Sequence, residues 1–517
     1  MCRNALTLAG LFLCVLMAGP RISAHGPQAA RASRSLADVR TLLEANRLDE
    51  AERALREVIE AAPAGADAQF LLGVVYERQR NLDQAAAAYG RAIALAPRMA
   101  AAHDRYGFVL GLQGRMDEAV ASFRQAVALD PRSFDAHYHL GVTEWLRKAP
   151  GQALPPLERA TALQPAHAEA QYYLGLTLRA LDRLPEAIVH LQRAAELAPG
   201  LAVAHAHLGI ALREQGRTSS ARRALERAAT LDPSRFDAVN ALGLTYMQRG
   251  DAEQAVATFT ELVARHPDEP TAQLNLGTAL MQQGNLAEAA DRFRTLTERW
   301  PSHAEAFYNL GTALKQQDDF AGAETALREA VRLDPAMADA HYTLGVVLWQ
   351  TGRGDAAAAA FRAAIAARPE HAQAHYMLGT LLLRAQRLDE ALAEFKQVLA
   401  YDPELPEAHR AMADIMRRRG DDPGADAAVA EADRISRRQT DLQASLFALG
   451  AARELLERGD VGTAVERLRD AVRLDATNAE AHWELGRALG RTGDAGGARK
   501  HLAEARRLDP GLVAPER

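Results

Sequence analysis

The chain has 517 residues, a formal charge of −6 at pH 7, 48% hydrophobic residues and 5% aromatic ones. A nucleic-acid binder of this size would show a basic footprint, and this chain has none. Many Ala-rich helices fit the composition better than sheet does, and only four of the 61 basic residues are lysine, a bias that carries no functional weight.

Residues 1–24 differ from everything after them. Arg3 precedes an apolar run from Ala5 to Gly19, then Pro20, Arg21 and the small residues Ser23 and Ala24. That order is the order of a secretory signal, and the apolar run is short for a bilayer span. Cleavage is expected after Ala24, which removes both cysteines, Cys2 and Cys14, and leaves a thiol-free chain of charge −8. Neither cysteine has the small preceding residues of a lipid-attachment box. The expected location is extracytoplasmic, periplasmic or secreted, with membrane anchoring if the segment stays uncut. His25 would be the new N-terminus; nothing near it completes a copper site.

Residues 25–31 read as a polar leader. From 32 onward a 34-residue period governs the chain, with prolines at 63, 97, 131, 165, 199, 233, 267, 301, 335, 369 and 403. Repeats begin at 32, 66, 100, 134, 168, 202, 236, 270, 304, 338, 372 and 406, so twelve fill residues 32–439. Five residues, Thr440 to Ala444, break the phase, and two more repeats at 445 and 479 fill 445–512, before a tail at 513–517. The break predicts a hinge or a lengthened helix.

Each repeat predicts two antiparallel helices, over positions 1–14 and 18–31. Position 15 is Gly114, Gly216, Gly250, Gly284, Gly352, Gly420, Gly459 or Gly493, or else Asn46, Asp182 or Asp318, residue types suited to a left-handed helix end. Acids such as Asp49, Asp83, Asp117 and Asp389 open the second helix, where its dipole favours negative charge. Position 8 is glycine in eleven repeats and position 20 is alanine in all fourteen. A helical glycine costs about 1 kcal/mol against alanine, so close packing of small on small residues is the expected reason. Arg499, Lys500, Arg506 and Arg507 give the last helix a polar, cap-like finish.

Leu72, Gly73, Tyr76, Ala85, Tyr89, Ala92 and Pro97, in the order L-G-x-x-Y…A-x-x-x-Y…A…P, resemble the tetratricopeptide repeat (TPR) family. The resemblance covers nearly the whole chain. It implies an all-α, right-handed superhelical α-solenoid of about fourteen helix-turn-helix repeats, with a concave face that binds ligands.

No metalloprotease, phosphate-loop, paired-cysteine, serine-elbow or dinucleotide motif is present, and the repeats leave no room for a catalytic domain. The reading therefore predicts no catalytic residue, no cofactor and no metal. Seven histidines share position 4 (103, 137, 205, 341, 375, 409 and 482), a packing site in the family, so a structural role is expected for them.

On the first helix, positions 4, 8 and 11 face the second helix, and positions 2, 5, 9, 12 and 13 face the hollow side. Position 5 holds Phe70, Tyr138, Tyr172, Tyr308, Tyr342, Tyr376 and Trp483. Two partner-binding clusters follow. One is Tyr138, His139, Trp145, Tyr172, Tyr173, Arg179, His207 and Arg213; the other is Asn275, Tyr308, Asn309, Lys315, Tyr342, Trp349 and Tyr376. Tyrosine and tryptophan offer area with a polar tip, and Arg179, Arg213 and Lys315 favour acidic segments. Asn275 and Asn309 match two rungs of the asparagine ladder that related arrays lay on a peptide backbone. The opposing reading has the position-5 aromatics packing adjacent repeats.

These features predict an exported, non-catalytic scaffold gripping extended peptides or partner proteins, in envelope assembly or secretion, without nucleic acid. A polysaccharide-export or glycan-binding protein is the alternative, since aromatic platforms also stack on sugars. Expressed in a Gram-negative host, the chain is expected in the periplasm with His25 as its first residue. N-terminal sequencing that finds Met1 on a cytoplasmic product refutes the export reading.

Overall fold

Each proline deprives a helix of a donor and turns its predecessor away from helical geometry, so the 34-residue spacing sets where helices stop. A computed structural model describes residues 27–509, and among them are twenty-seven helices, α1 to α27 in chain order, and no strand. The signal segment with Cys2 and Cys14, His25 and the tail 513–517 lie outside the described residues. The first helix, α1 (Pro27–Glu44), begins inside the expected leader, and thereafter first and second helices alternate. In the repeat at 66 they are α3 (Ala66–Arg78) and α4 (Leu82–Leu95), so the second helix begins at position 17, one residue ahead of the sequence reading.

The turn between the two helices is the same in every repeat. Position 15 has positive φ in all fourteen, at the eight glycines and at Asn46, Arg80, Lys148, Asp182, Asp318 and Gln386. The amide of position 16 reaches back to the carbonyl of position 11, as in Asn81 N–H to Tyr76 O at 2.8 Å and Arg115 N–H to Leu110 O at 2.9 Å. That is the Schellman pattern, which satisfies carbonyls a helix end leaves orphaned. Arg80, Lys148 and Gln386 carried no sequence signal for this turn. The surrounding helix pair imposes it on them at about 1–2 kcal/mol each.

The glycine at position 8 packs differently from expectation. Its nearest neighbour is the large residue at position 24 of the same repeat, with the backbone carbonyl of the position-20 alanine next, 3.1 Å from where a Cβ would stand on Gly107, Gly175, Gly209 and Gly311. A Cβ on Gly73 would lie 2.6 Å from the Tyr89 ring, on Gly141 2.5 Å from Leu157 Cγ, and on Gly243 2.5 Å from Phe259 Cζ. The absent Cβ leaves a flat strip of backbone on which an aromatic or leucine side chain lies down. Tyr89, Phe123, Phe259, Phe293, Phe361 and Phe395 are all at position 24, and all are buried.

The histidines of position 4 close the joint between repeats. His103, His137, His205, His341, His375 and His409 each set Nε2 2.9–3.2 Å from the carbonyl oxygen of the period-closing proline six residues earlier. His482 does the same with Ala476 O at 3.2 Å. The carbonyl accepts, so Nε2 carries the hydrogen. Where Gln171 replaces histidine its Nε2 donates to Pro165 O at 3.0 Å, and its Oε1 receives His190 Nδ1 at 2.7 Å.

The helices gather into two compact segments, one ending at Asn285 and the other beginning at Leu286. In the first, the first helices α5 (Ala100–Leu112), α7 (Phe134–Leu146), α9 (Ala168–Ala180), α11 (Ala202–Glu214), α13 (Phe236–Arg249) and α15 (Pro270–Gln283) each touch the next in that series. In the second, α17 (Ala304–Gln316) touches α19 (Ala338–Gln350), and α21 (Ala372–Arg384) touches α23 (Pro406–Arg418). Consecutive second helices do not pack on one another to a comparable degree among the described residues. Within each segment the first-helix side is therefore the hollow side.

Residues 440–444 form neither turn nor gap. They lie inside α24 (Asp422–Glu457), a single helix of 36 residues that serves as second helix to the repeat at 406 and first helix to the repeat at 445. Arg437 stands where the period would place proline, and no glycine or proline falls between Ala425 and Leu449. Nothing there stops a helix. No helix among the described residues is long and apolar enough to cross a membrane.

Replacing Gly243 by alanine is expected to destabilise the fold by about 1–3 kcal/mol, the overpacking cost of forcing Phe259 aside. Replacing Gly90 in α4, whose Cβ would meet nothing within 4 Å, is expected to stabilise it by up to about 1 kcal/mol. Denaturant midpoints of the two variants check both signs.

Candidate functional site

Successive first helices run parallel, 34 residues apart, and the side chains that meet across them are mostly 35 apart. Position 5 of one repeat meets position 6 of the next: Asp104 with His139 at 2.9 Å, Tyr138 with Tyr173 at 6.3 Å between rings, Tyr172 with His207 at 5.7 Å. Asn275 Nδ2 donates to Asn240 Oδ1 at 2.7 Å in the same relation. Position 12 meets position 13 likewise, through Arg179 with Glu214, and through Gln282 Nε2 donating to Met247 O at 2.9 Å. The hollow face is thus built of rungs, each shared by two repeats.

This register corrects part of the first predicted cluster. Tyr138 is 5% exposed and stacks on Phe134 with ring planes 7° apart, with His167 5.2 Å away on another side. Burial, aided by Tyr173 and Glu169, pushes its phenol far above the ordinary range. His139 is 6% exposed, bonded to Asp104 and set 5.5 Å from both Phe108 and Phe123. Both side chains are buried and pack repeats together, although His139 also lines one wall of a small hollow on this face. Arg179 grips both carboxylate oxygens of Glu214, at 2.8 and 2.5 Å, so its charge is already answered.

The remaining members do come together. Trp145 meets Tyr173 edge-on at 5.4 Å, Tyr173 meets Tyr172 at 5.2 Å, and Tyr172 meets His207 at 5.7 Å. All four are half-buried, so this aromatic run crosses three repeats with one side in solvent. Neither Tyr172 nor Tyr173 has a hydrogen-bond partner for its hydroxyl among the described residues, and burial raises the pKa of both. Arg213, half-buried on α11, forms no ion pair among the described residues, and its Nε is buried without a partner. Its charge acts on the neighbouring Glu214 carboxylate, which Arg179 already holds.

Alongside this run, between α5 and α7, the face has a small, mostly apolar hollow lined by Phe108, Leu112, Met116, Phe123, Val142 and Leu146, with His139 and Thr143 also on its wall. Gly111 opens it, because position 12 carries Trp145 and Arg179 in the next two repeats. A Cβ at Gly111 would come only to 4.0 Å from Ala119, so packing does not demand that glycine. Sequence reasoning did not find this hollow. The signal was there, as a glycine at a groove position.

The second predicted cluster is split. Asn275 belongs to the first segment, and its amide is engaged by Asn240, so it does not stand ready as a ladder rung. In the second segment Tyr308, Asn309, Lys315, Tyr342, Trp349 and Tyr376 are half-buried. Tyr342 leans on Phe361 at 5.9 Å and His371 at 4.9 Å, and Tyr376 on Phe395 at 5.7 Å. Arg384 lies over Trp349 at 5.5 Å, a cation–π contact. Tyr342 and Tyr376 pack on position 24 of their own repeat, and no ring contact joins the aromatics of this segment into a run among the described residues. Lys315 has no ion pair among the described residues.

Tetratricopeptide repeat models match residues 36–100, 207–270, 240–304, 274–338, 308–372, 342–406, 376–439 and 449–513, and others match 107–145 and 167–234. The chain belongs to the tetratricopeptide repeat family. Among solved structures, this TPR chain is similar to YrrB, described as a TPR protein with an unusual peptide-binding site. The identity is 26%, over 36% of this chain and 97% of YrrB, with a TM-score of 0.35. It is also similar to Naa15/Naa10 bound to HypK (14% identity, 93% and 94% of the two chains, TM-score 0.33) and to Pseudomonas aeruginosa pilF (20%, 41% and 97%, 0.38). No curated protein matches it. TPR arrays are in general non-catalytic scaffolds that bind proteins or peptides, and this chain is a TPR scaffold.

His207 gives the face a measurable signature. Burial chiefly, opposed by Asp237 and reinforced by Arg179 and Arg235, lowers its pKa to about 4. The folded chain holds the ring neutral down to that pH, while the unfolded chain takes up a proton near 6.5. Stability is therefore full above pH 6.5 and falls through the window from 6.5 to about 4, by up to about 3 kcal/mol. A pH series of melting curves is expected to show a loss in this window, to which other histidines lowered by burial, among them His137, His190 and His205, also contribute, and His207→Gln is expected to make it smaller.

Proposed function

We propose that this TPR chain is an exported scaffold that holds an extended segment of a partner protein along the first-helix face of repeats 100 to 202. The observation that carries the reading is the run Trp145–Tyr173–Tyr172–His207, half open to solvent, with two unbonded hydroxyls and the unpaired Arg213 beside it. Large rings give buried area at small entropic cost, and their hydroxyls bond the backbone of an extended chain. Arg213 favours an acidic residue in that segment, and the hollow opened by Gly111 takes an apolar side chain. The role of Arg179 in the earlier acidic preference passes to Arg213, because Glu214 occupies Arg179.

Export rests on the signal-like order of residues 1–24, and it places the partner in the cell envelope or outside. Envelope assembly and secretion are the processes in which such a scaffold would act. The second segment contributes Lys315 and its half-buried aromatics as a lesser surface.

The test is capture of partners from an envelope fraction by the intact chain, followed by peptide and glycan arrays run in parallel. Acidic peptides with an apolar residue are expected to bind, and Arg213→Gln to weaken them about tenfold, or about 1.4 kcal/mol. Tyr172→Ala is expected to weaken them further. Glycans bound in preference to peptides, or peptide binding indifferent to both substitutions, overturn the reading.

A further inference from the structure

At every other described junction, position 3 of a first helix is a buried alanine, from Ala68 and Ala102 through Ala408 and Ala481. There the first helix lies against the second helix of the preceding repeat, and only a methyl group fits. In the repeat at 445 that position is Phe447, which is 81% exposed, and its neighbour Leu446 is 63% exposed. The cause is α24. The preceding second helix continues end to end into this first helix and so cannot lie alongside it. A face that elsewhere takes a helix is left bare, and it carries a phenyl ring.

The surroundings of that ring are small. At 100° per residue Ala444, Gly450 and Ala451 share its face of α24, and a Cβ on Gly450 would meet nothing within 4 Å. One large side chain beside a glycine and two alanines is a knob next to a hole. Such a surface fits its own copy, each ring entering the other's hollow, when two helices run antiparallel. The charges agree with that direction. Glu454 and Arg458, paired with each other at 3.5 Å, lie toward the C-terminal end of the face, and uncharged Thr440 and Gln443 lie toward the other. Antiparallel contact sets the ion pair against Thr440 and Gln443. Parallel contact would set Glu454 on Glu454 and Arg458 on Arg458.

We infer that the chain forms a two-fold dimer through α24, with Phe447 of each copy seated over Gly450 and Ala451 of the other. The surface shares no residue with the proposed peptide face, so either can fail without the other.

Sedimentation velocity of the full mature chain between about 1 and 100 μM tests it. A dimer is expected, and Phe447→Glu is expected to give a folded monomer by circular dichroism, since the ring supports no packing within its own chain. A spin label at Arg458→Cys, in a chain cleared of Cys2 and Cys14, is expected to report about 30 Å between copies. That follows from some ten residues on either side of the crossing at 1.5 Å each. A monomer at 100 μM overturns the proposal, as does a dimer that survives Phe447→Glu, or a label distance near 10 Å from parallel helices.

Discussion

The contact on which the array depends is between the glycine of position 8 and the large side chain of position 24. It fixes how near the two helices of a repeat approach, because a ring or leucine lies flat where a Cβ would stand within about 3 Å of it. That spacing sets the turn geometry. A helix pair held so close is joined by three residues only through a left-handed residue at position 15, and the chain adopts one there fourteen times, six of them with a side chain in place. Local preference gives way to packing at Arg80, Lys148 and Gln386, which is how tertiary context overrides propensity.

Most of the architecture was legible in the sequence, because a period with punctuation leaves little choice. The helix pairs, the left-handed glycines and the repeat boundaries follow from residue types whose backbone limits are absolute. Where the reading failed, the missing information was three-dimensional. The close approach of position 8 to the alanine at position 20 is there, but the large side chain at position 24 that lies flat on the glycine was missed, because periodicity gives the face of a helix, not which residue on the opposite helix arrives there. The break at 440–444 was open between hinge and lengthened helix. With no helix stop from Ala425 to Leu449 the chain runs on as one helix, α24.

The hollow face shows the same division. Its composition was visible, since seven aromatics at one position are hard to miss. Its accessibility was not. Tyr138 and Tyr172 hold equivalent positions, yet Phe134 and His167 close over the first while the second keeps one side in solvent. Arg179 and Arg213 are also equivalent, and Glu214, 35 residues beyond Arg179, separates them: one is held in an ion pair and the other forms none among the described residues. Binding character at a given position thus depends on what the following repeat supplies.

That dependence has a consequence for how such a surface changes. Each rung of the hollow face is half-owned by two neighbours, so the repeat that is modular as a packing block is not modular as a recognition element. Moving one hairpin into another array would carry half of two rungs with it and strand their counterparts. A change of ligand preference therefore requires altering residues in adjacent hairpins together, whereas the Gly–aromatic pair inside each hairpin passes unchanged from one array to the next.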